Sequence, residues 1–152
     1  MRDFTIVKYA SLAVMFTCLL DFGVNTIYTP YVTSSSFLSI ILWMLQIVTI
    51  LLQFFSWFFL MNLMNEVRYG GYSSALKRFW PLFITGCAYL LFFLLNIIIQ
   101  LIYMSRDNDI YSLWNNGLVM TFWSLQRLVS IVHYAFSMFY TLKLLSNSAL
   151  FL

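Results

Sequence analysis

The chain has 152 residues, of which 62% are hydrophobic, 20% aromatic and only 9% charged, and its formal net charge is +3. A water-soluble domain this small cannot hide so much apolar surface, so soluble enzymes and soluble binding modules are excluded. The basic residues form no dense patch, which argues against a nucleic-acid partner and leaves anionic lipid headgroups as the surface they suit.

Four apolar runs follow one another, at residues 9–28, 37–64, 82–104 and 117–142. Each reaches the ~20 residues that a helix needs to cross a ~30 Å hydrocarbon core. The first follows Arg2 and Lys8 as a secretory signal would. It is too long for one, carries Asp21 and lacks a clear small-residue cleavage site, so it reads as an uncleaved span. At 100° per residue, Thr17, Cys18, Asp21, Asn25 and Tyr28 share one side of it. In the second run Ser39, Gln46, Thr49, Gln53 and Ser56 form a seam at a/d-like spacing.

The segment 65–81 opens as a turn at Gly70-Gly71 and becomes a basic, aromatic stretch, Lys77-Arg78-Phe79-Trp80, that suits a membrane surface. Arg68, Lys77 and Arg78 are its candidate headgroup contacts. The third run gathers Thr85, Tyr89, Asn96, Gln100 and Tyr103. Asp107 and Asp109 then sit two apart without the glycine and distal glutamate of an EF-hand, so residues 105–117 read as a polar turn. The fourth run carries Ser124, Gln126, Arg127, Ser130, His133, Ser137 and Thr141 over a broader half.

Every span therefore has one polar face, and lipid would leave those groups unpaired. Turning the four faces inward predicts an all-α integral membrane four-helix bundle, a single domain with short loops. Its polar seam holds Asn25, Gln46, Gln53, Asn96, Gln100, Gln126 and His133. Trp80 and Trp114 lie where an interfacial aromatic belt belongs. With four spans, Arg2, Lys8, Arg68, Lys77, Arg78 and Lys143 fall on one side of the bilayer against Arg106 on the other. The positive-inside rule then puts both termini in the cytosol.

Asp21 and Arg127 are the only acid and the only permanent base inside the runs, and isolated charge in hydrocarbon is costly enough to mark a site. Counting 1.5 Å per residue from the span ends places the two at levels that differ by only ~3 Å. A structural ion pair tying the first helix to the fourth is the expectation. Its signature is that removing one partner strands the other at a cost of ~3–5 kcal/mol.

Catalytic readings find little to work with. His133 is the only histidine, so a bis-histidine haem or a histidine-rich metal centre is out of reach, and no serine sits in a nucleophile elbow. Cys18 and Cys87 read as small buried hydrophobes. No catalytic residue, cofactor, metal or small-molecule substrate is expected. A proton-coupled carrier would need several staged ionisable groups and broken helices, whereas only Gly23 and Gly86 interrupt the spans. It stays as a second alternative.

The motif Asp21-Phe22-Gly23-Val24-Asn25, Gln46 in the second span, and Trp114-Asn115-Asn116-Gly117-Leu118 leading to Gln126-Arg127-Leu128 resemble the transmembrane protein 138 family. The resemblance runs through most of the chain in short motifs. It implies a non-catalytic multipass protein that supports cilium assembly and trafficking of ciliary membrane proteins. Such a protein works at the ciliary base and on vesicle- or vacuole-type membranes, through lipids and other, ciliary membrane proteins. Composition alone equally allows an accessory subunit of a large membrane complex, such as a respiratory-chain assembly in the mitochondrial inner membrane.

Overall fold

The computed structural model describes residues 4–28, 36–106 and 114–146, apart from the side chains of Phe4, Ser36, Asn65, Glu66, Arg68 and Arg106. Within them the chain is all-α: α1 (Phe4–Ile27), α2 (Ser36–Asn62), a short α3 (Asn65–Gly70), α4 (Tyr72–Arg106) and α5 (Gly117–Ser146). Four of these helices, α1, α2, α4 and α5, are long and apolar enough to cross a membrane. Helix is the state that such sequences need in hydrocarbon, because it satisfies every interior backbone group within its own segment.

The span ends shift from the sequence expectation. The segment after Gly71 does not lie apart as a surface stretch. It is the first three turns of α4, continuous with the span apart from a non-helical Phe79 (φ −107°, ψ 15°) just before Pro81. Proline removes one ladder bond and its ring crowds the preceding turn, so a bend is tolerated there and the helix goes on. α5 likewise runs to Ser146, beyond the expected 142. α2 closes on two i→i−3 bonds, Leu63 N–H to Leu60 O at 3.2 Å and Met64 N–H to Met61 O at 3.0 Å. Gly71 (φ 73°) then ends α3, with its N–H on Val67 O. Only glycine takes that backbone conformation without strain.

α1 packs along α2 on one side and α5 on the other, α5 packs along α4, and α2 and α4 touch only narrowly. All these neighbours run antiparallel. Thr49 and Trp43 of α2 face Asp21 and Tyr28 of α1, while Tyr134, Ser130 and Arg127 of α5 face Asp21, Asn25 and Tyr28. At the end of the bundle that holds the first residues of α1, the interior is apolar. Val7, Ala10, Val14, Trp57, Leu60, Met64, Phe79, Leu82 and Leu144 close it in one cluster. Toward the other end the interior turns polar.

The outer surface is what lipid requires, with Leu12, Phe16, Leu51, Phe55, Leu91, Ile98, Leu128 and Leu142 among many exposed apolar side chains. Hydroxyls that face outward bond back to their own helix, as Thr26 does to Phe22 O (2.7 Å), Ser56 to Leu52 O (2.8 Å) and Thr121 to Gly117 O (2.7 Å). This local bond is how serine and threonine avoid an unpaired group in hydrocarbon. Two expectations are corrected here. Cys87 is exposed on α4 and not buried, and Trp114 turns inward, edge-on to Tyr28 and Trp123, while Trp80 does face out at 58% exposure.

Candidate functional site: a polar core around Asp21

The helical stripes read from the sequence do converge. Cys18, Asp21, Asn25, Tyr28, Gln46, Thr49, Gln53, Tyr89, Asn96, Gln100, Gln126, Ser130, His133, Ser137 and Thr141 are all buried, most of them completely. Ser56, Thr85 and Tyr103 are only half-buried and Ser124 is exposed; of these Thr85 still reaches the interior, beside His133. The buried groups form three layers along the bundle axis.

The middle layer is built on Asp21, which has no exposed surface. Its level is the centre of the bundle, since its partner Tyr89 is the middle residue of α4. Three hydroxyls from three helices reach its carboxylate. Thr49 Oγ1 of α2 lies 2.8 Å from Oδ1, and on Oδ2 Tyr89 of α4 donates at 2.9 Å and Tyr134 of α5 at 2.8 Å. The two phenols are in turn held by carboxamides: Gln46 Nε2 donates to Tyr89 at 2.9 Å, and Asn25 Nδ2 lies 3.4 Å from Tyr134 and donates to Ser130 Oγ at 2.8 Å. A single acid thereby ties all four spanning helices together.

The layer toward the apolar end centres on Gln53. Its Nε2 contacts Cys18 Sγ at 2.9 Å and His133 Nε2 at 3.0 Å, with Ser137 Oγ at 3.3 Å. An amide nitrogen can only donate, so His133 Nε2 accepts and its Nδ1–H points to Thr85 Oγ1 at 3.4 Å. The imidazole lies between the rings of Phe54 (6.5 Å) and Tyr89 (5.8 Å). This is a packed, hydrogen-bonded histidine, and no group of three or more His, Cys, Asp and Glu occurs among the described residues.

The outer layer is a relay of side-chain amides. Trp43 Nε1 donates to the Tyr28 hydroxyl at 2.7 Å, and that hydroxyl donates to Gln100 Oε1. Gln100 Nε2 donates to Asn96 Oδ1 at 2.9 Å, and Asn96 Nδ2 to Gln126 Oε1 at 2.6 Å. Arg127 belongs to this layer. Its guanidinium donates to the main-chain carbonyl of Tyr28 and lies over the Trp123 ring, 4.8 Å from the centroid.

The expected ion pair between Asp21 and Arg127 is therefore not formed: the acid takes hydroxyls and the base takes a carbonyl. The reason is register. Asp21 is level with Tyr134, two turns of α5 further on than Arg127, a separation of ~10 Å along the axis. Counting from apolar run ends had missed how far α1 stops short of the outer rim. Arg127 finds its compensation at that stopping point, because the last carbonyls of a helix carry partial negative charge and lack intrahelical donors.

Tyr89 and Tyr134 were missed as acid partners, since an aromatic residue in an aromatic-rich span carries no marking signal. Lys77 is exposed on the first turns of α4, as is Arg78, whereas the Arg68 side chain lies outside the described residues. Asp107 and Asp109 lie outside them as well. The chain matches no family model, no curated protein and no solved structure.

Proposed function

We propose that this chain is a non-catalytic multipass membrane protein that supports cilium assembly and the trafficking of ciliary membrane proteins, acting through lateral contacts with lipid and other membrane proteins. Both termini and the Arg68-Lys77-Arg78 turn face the cytosol in this reading, with Lys77 and Arg78 at the headgroups. The ciliary base and vesicle-type endomembranes are its places of work.

One observation carries the proposal. Of the residues on which the resemblance to the transmembrane protein 138 family rests, Phe22, Leu118 and Leu128 face outward, while the polar ones Asp21, Asn25, Gln46 and Gln126 are buried at 0–2% exposure in the interior, the first three around the hydroxyls of Tyr89 and Tyr134 and Gln126 on Asn96. They hold helices together and present no open, reactive group, which suits a structural role better than catalysis. Outside that interior the described residues present a broad apolar flank with shallow grooves, one between α1 and α2 along Ile6, Ala10, Ala13, Phe55 and Phe59 and one on α5 along Ile131, Ala135 and Phe139. Such a flank works by lying against other hydrophobic surfaces in the bilayer.

Expressing a tagged chain in ciliated cells tests this. Signal at the ciliary base and on vesicles, with ciliary membrane proteins recovered after mild-detergent purification, is the expected result. Uniform mitochondrial signal with respiratory subunits in the purified material would replace the proposal with the accessory-subunit reading.

A further inference from the structure

The middle layer has one deficit that recurs in three places. Asp21 is completely buried at the centre of the bundle, and among the described residues no lysine, arginine or histidine pairs with it. The side-chain oxygens Asn25 Oδ1 and Gln46 Oε1 are buried without a hydrogen-bond partner. Asn25 is 2% exposed and Gln46 has no exposed surface. Each belongs to a carboxamide whose nitrogen is already engaged, that of Gln46 on the Tyr89 hydroxyl and that of Asn25 on Ser130 Oγ, with Tyr134 at 3.4 Å. Finally, Thr49 Oγ1 lies within 2.8 Å of Asp21 Oδ1 and 2.9 Å of Gln46 O, and a hydroxyl has one proton for both. Within this layer every shortfall is of positive charge or of a donor and both unpaired atoms are oxygens, whereas the unpaired nitrogens of Gln126, Trp57, Trp114, Trp123 and Arg127 belong to residues outside it.

We infer that the oxygens of Asp21, Asn25, Gln46 and Thr49 form a binding site for one sodium ion in the centre of the bundle. A hard cation takes carboxylate, carbonyl and hydroxyl oxygens and needs no soft or nitrogen ligand, which is the donor set on offer. Its charge offsets that of Asp21, and the two amide oxygens gain a partner whose lack is costly in a water-free interior. A proton on Asp21 would answer the charge and free Thr49 for Gln46 O, but it leaves both amide oxygens unpaired. The ion supplies all three.

The layers also set the direction of access. On one side of the site, beyond the Gln53 layer, stand Val14, Trp57, Leu60 and Leu82, an apolar plug. On the other, the polar groups continue through Asn25, Tyr28, Gln100, Asn96 and Gln126 toward the outer rim. Exchange therefore takes place from the end opposite the start of α1, past the Arg127 guanidinium, which slows cation passage. This inference does not rest on the ciliary reading and stands or falls separately from it.

Thermal unfolding of the full chain in detergent, at fixed pH and ionic strength, tests it with sodium chloride against N-methylglucamine chloride. Sodium should raise the midpoint in a saturable way, as a ligand of the folded state does, and N-methylglucamine should not. Asp21→Asn, isosteric and uncharged, should lose the response. Where that variant does not fold, Asn25→Ala keeps the acid and should weaken the sodium response about tenfold or more. The groups that titrate around the site are Cys18 on α1, Tyr89 on α4, and Tyr134 and His133 on α5, with none from α2, so the series is repeated at two pH values. A wild-type midpoint indifferent to sodium overturns the inference. So does a sodium response that survives in Asp21→Asn, or a midpoint that follows pH alone, which would place a proton where we place the ion.

Discussion

Pairwise removal of the two intramembrane charges gives the sharpest check on the register of the bundle. In Asp21→Ala three buried hydroxyl contacts lose their acceptor. Side-chain hydrogen bonds in membrane bundles average ~0.6 kcal/mol and reach ~1.7 kcal/mol, so the loss should be about 2–5 kcal/mol. Arg127→Ala removes one bond to Tyr28 O and the stacking on Trp123, about 1–2 kcal/mol. The two side chains share no partner and sit ~10 Å apart along the axis, a spacing at which effects add within about 0.5 kcal/mol. The double variant should thus be as unstable as both singles combined. A direct ion pair predicts the opposite, with each single costing ~3–5 kcal/mol and the double recovering much of it. Reversible unfolding in mixed micelles measures all four corners of the cycle. A coupling energy above about 1.5 kcal/mol would show that carboxylate and guanidinium meet after all, and the α1–α5 register described here would be wrong.

Other expectations follow from single contacts. Tyr89→Phe takes away a donor to Asp21 and the acceptor of Gln46, so it should cost about 1–3 kcal/mol of unfolding free energy, and combining it with Tyr134→Phe should be non-additive because both serve one oxygen. Gly86→Ala places a methyl 3.1 Å from both His133 Cε1 and Phe54 Cζ, where α2 and α4 touch. Those ring ends must give way, and the unfolding midpoint should fall by the equivalent of about 1–3 kcal/mol, whereas an unchanged midpoint would mean the α2–α4 contact is loose. Gly71→Ala meets no neighbour within 4 Å, yet its φ of 73° is strained for alanine, so a loss of about 1–3 kcal/mol should appear without any change in the polar core. Gln53→Leu leaves His133 Nε2 without its donor and should destabilise by about 1–3 kcal/mol, while native-state thiol labelling of Cys18 speeds up as its layer loosens.

Much of this was legible along the chain because hydrocarbon imposes a strict pattern. Four apolar runs of this length call for helices able to span a bilayer, and four such helices formed. A polar residue in such a run has to face protein, so the stripe Thr17-Cys18-Asp21-Asn25-Tyr28 and its counterparts on the other spans named the buried polar residues apart from Ser11, though not the apolar core beside them. His133 also held its expected place as a bonded packing residue. Where the rule has an escape, the reading failed. Ser124 is exposed and Ser56 half-buried on the rim of a lipid-facing groove, with its Oγ on Leu52 O, because a hydroxyl can bond its own helix. Cys87 lies outward because a thiol is apolar enough for lipid.

Sequence by itself thus determined the four helices long and apolar enough to cross a membrane and which face of each is polar, since periodicity and transfer cost are local properties of a segment. It did not determine which polar group meets which. That choice depends on the axial offset between antiparallel helices, and an offset of two turns sufficed to exchange an ion pair for a hydroxyl shell around Asp21 and a carbonyl under Arg127. The offset is set by where α1 ends and how Trp43, Tyr28 and Trp114 pack above it, contacts between residues far apart in the chain that only the assembled bundle brings together.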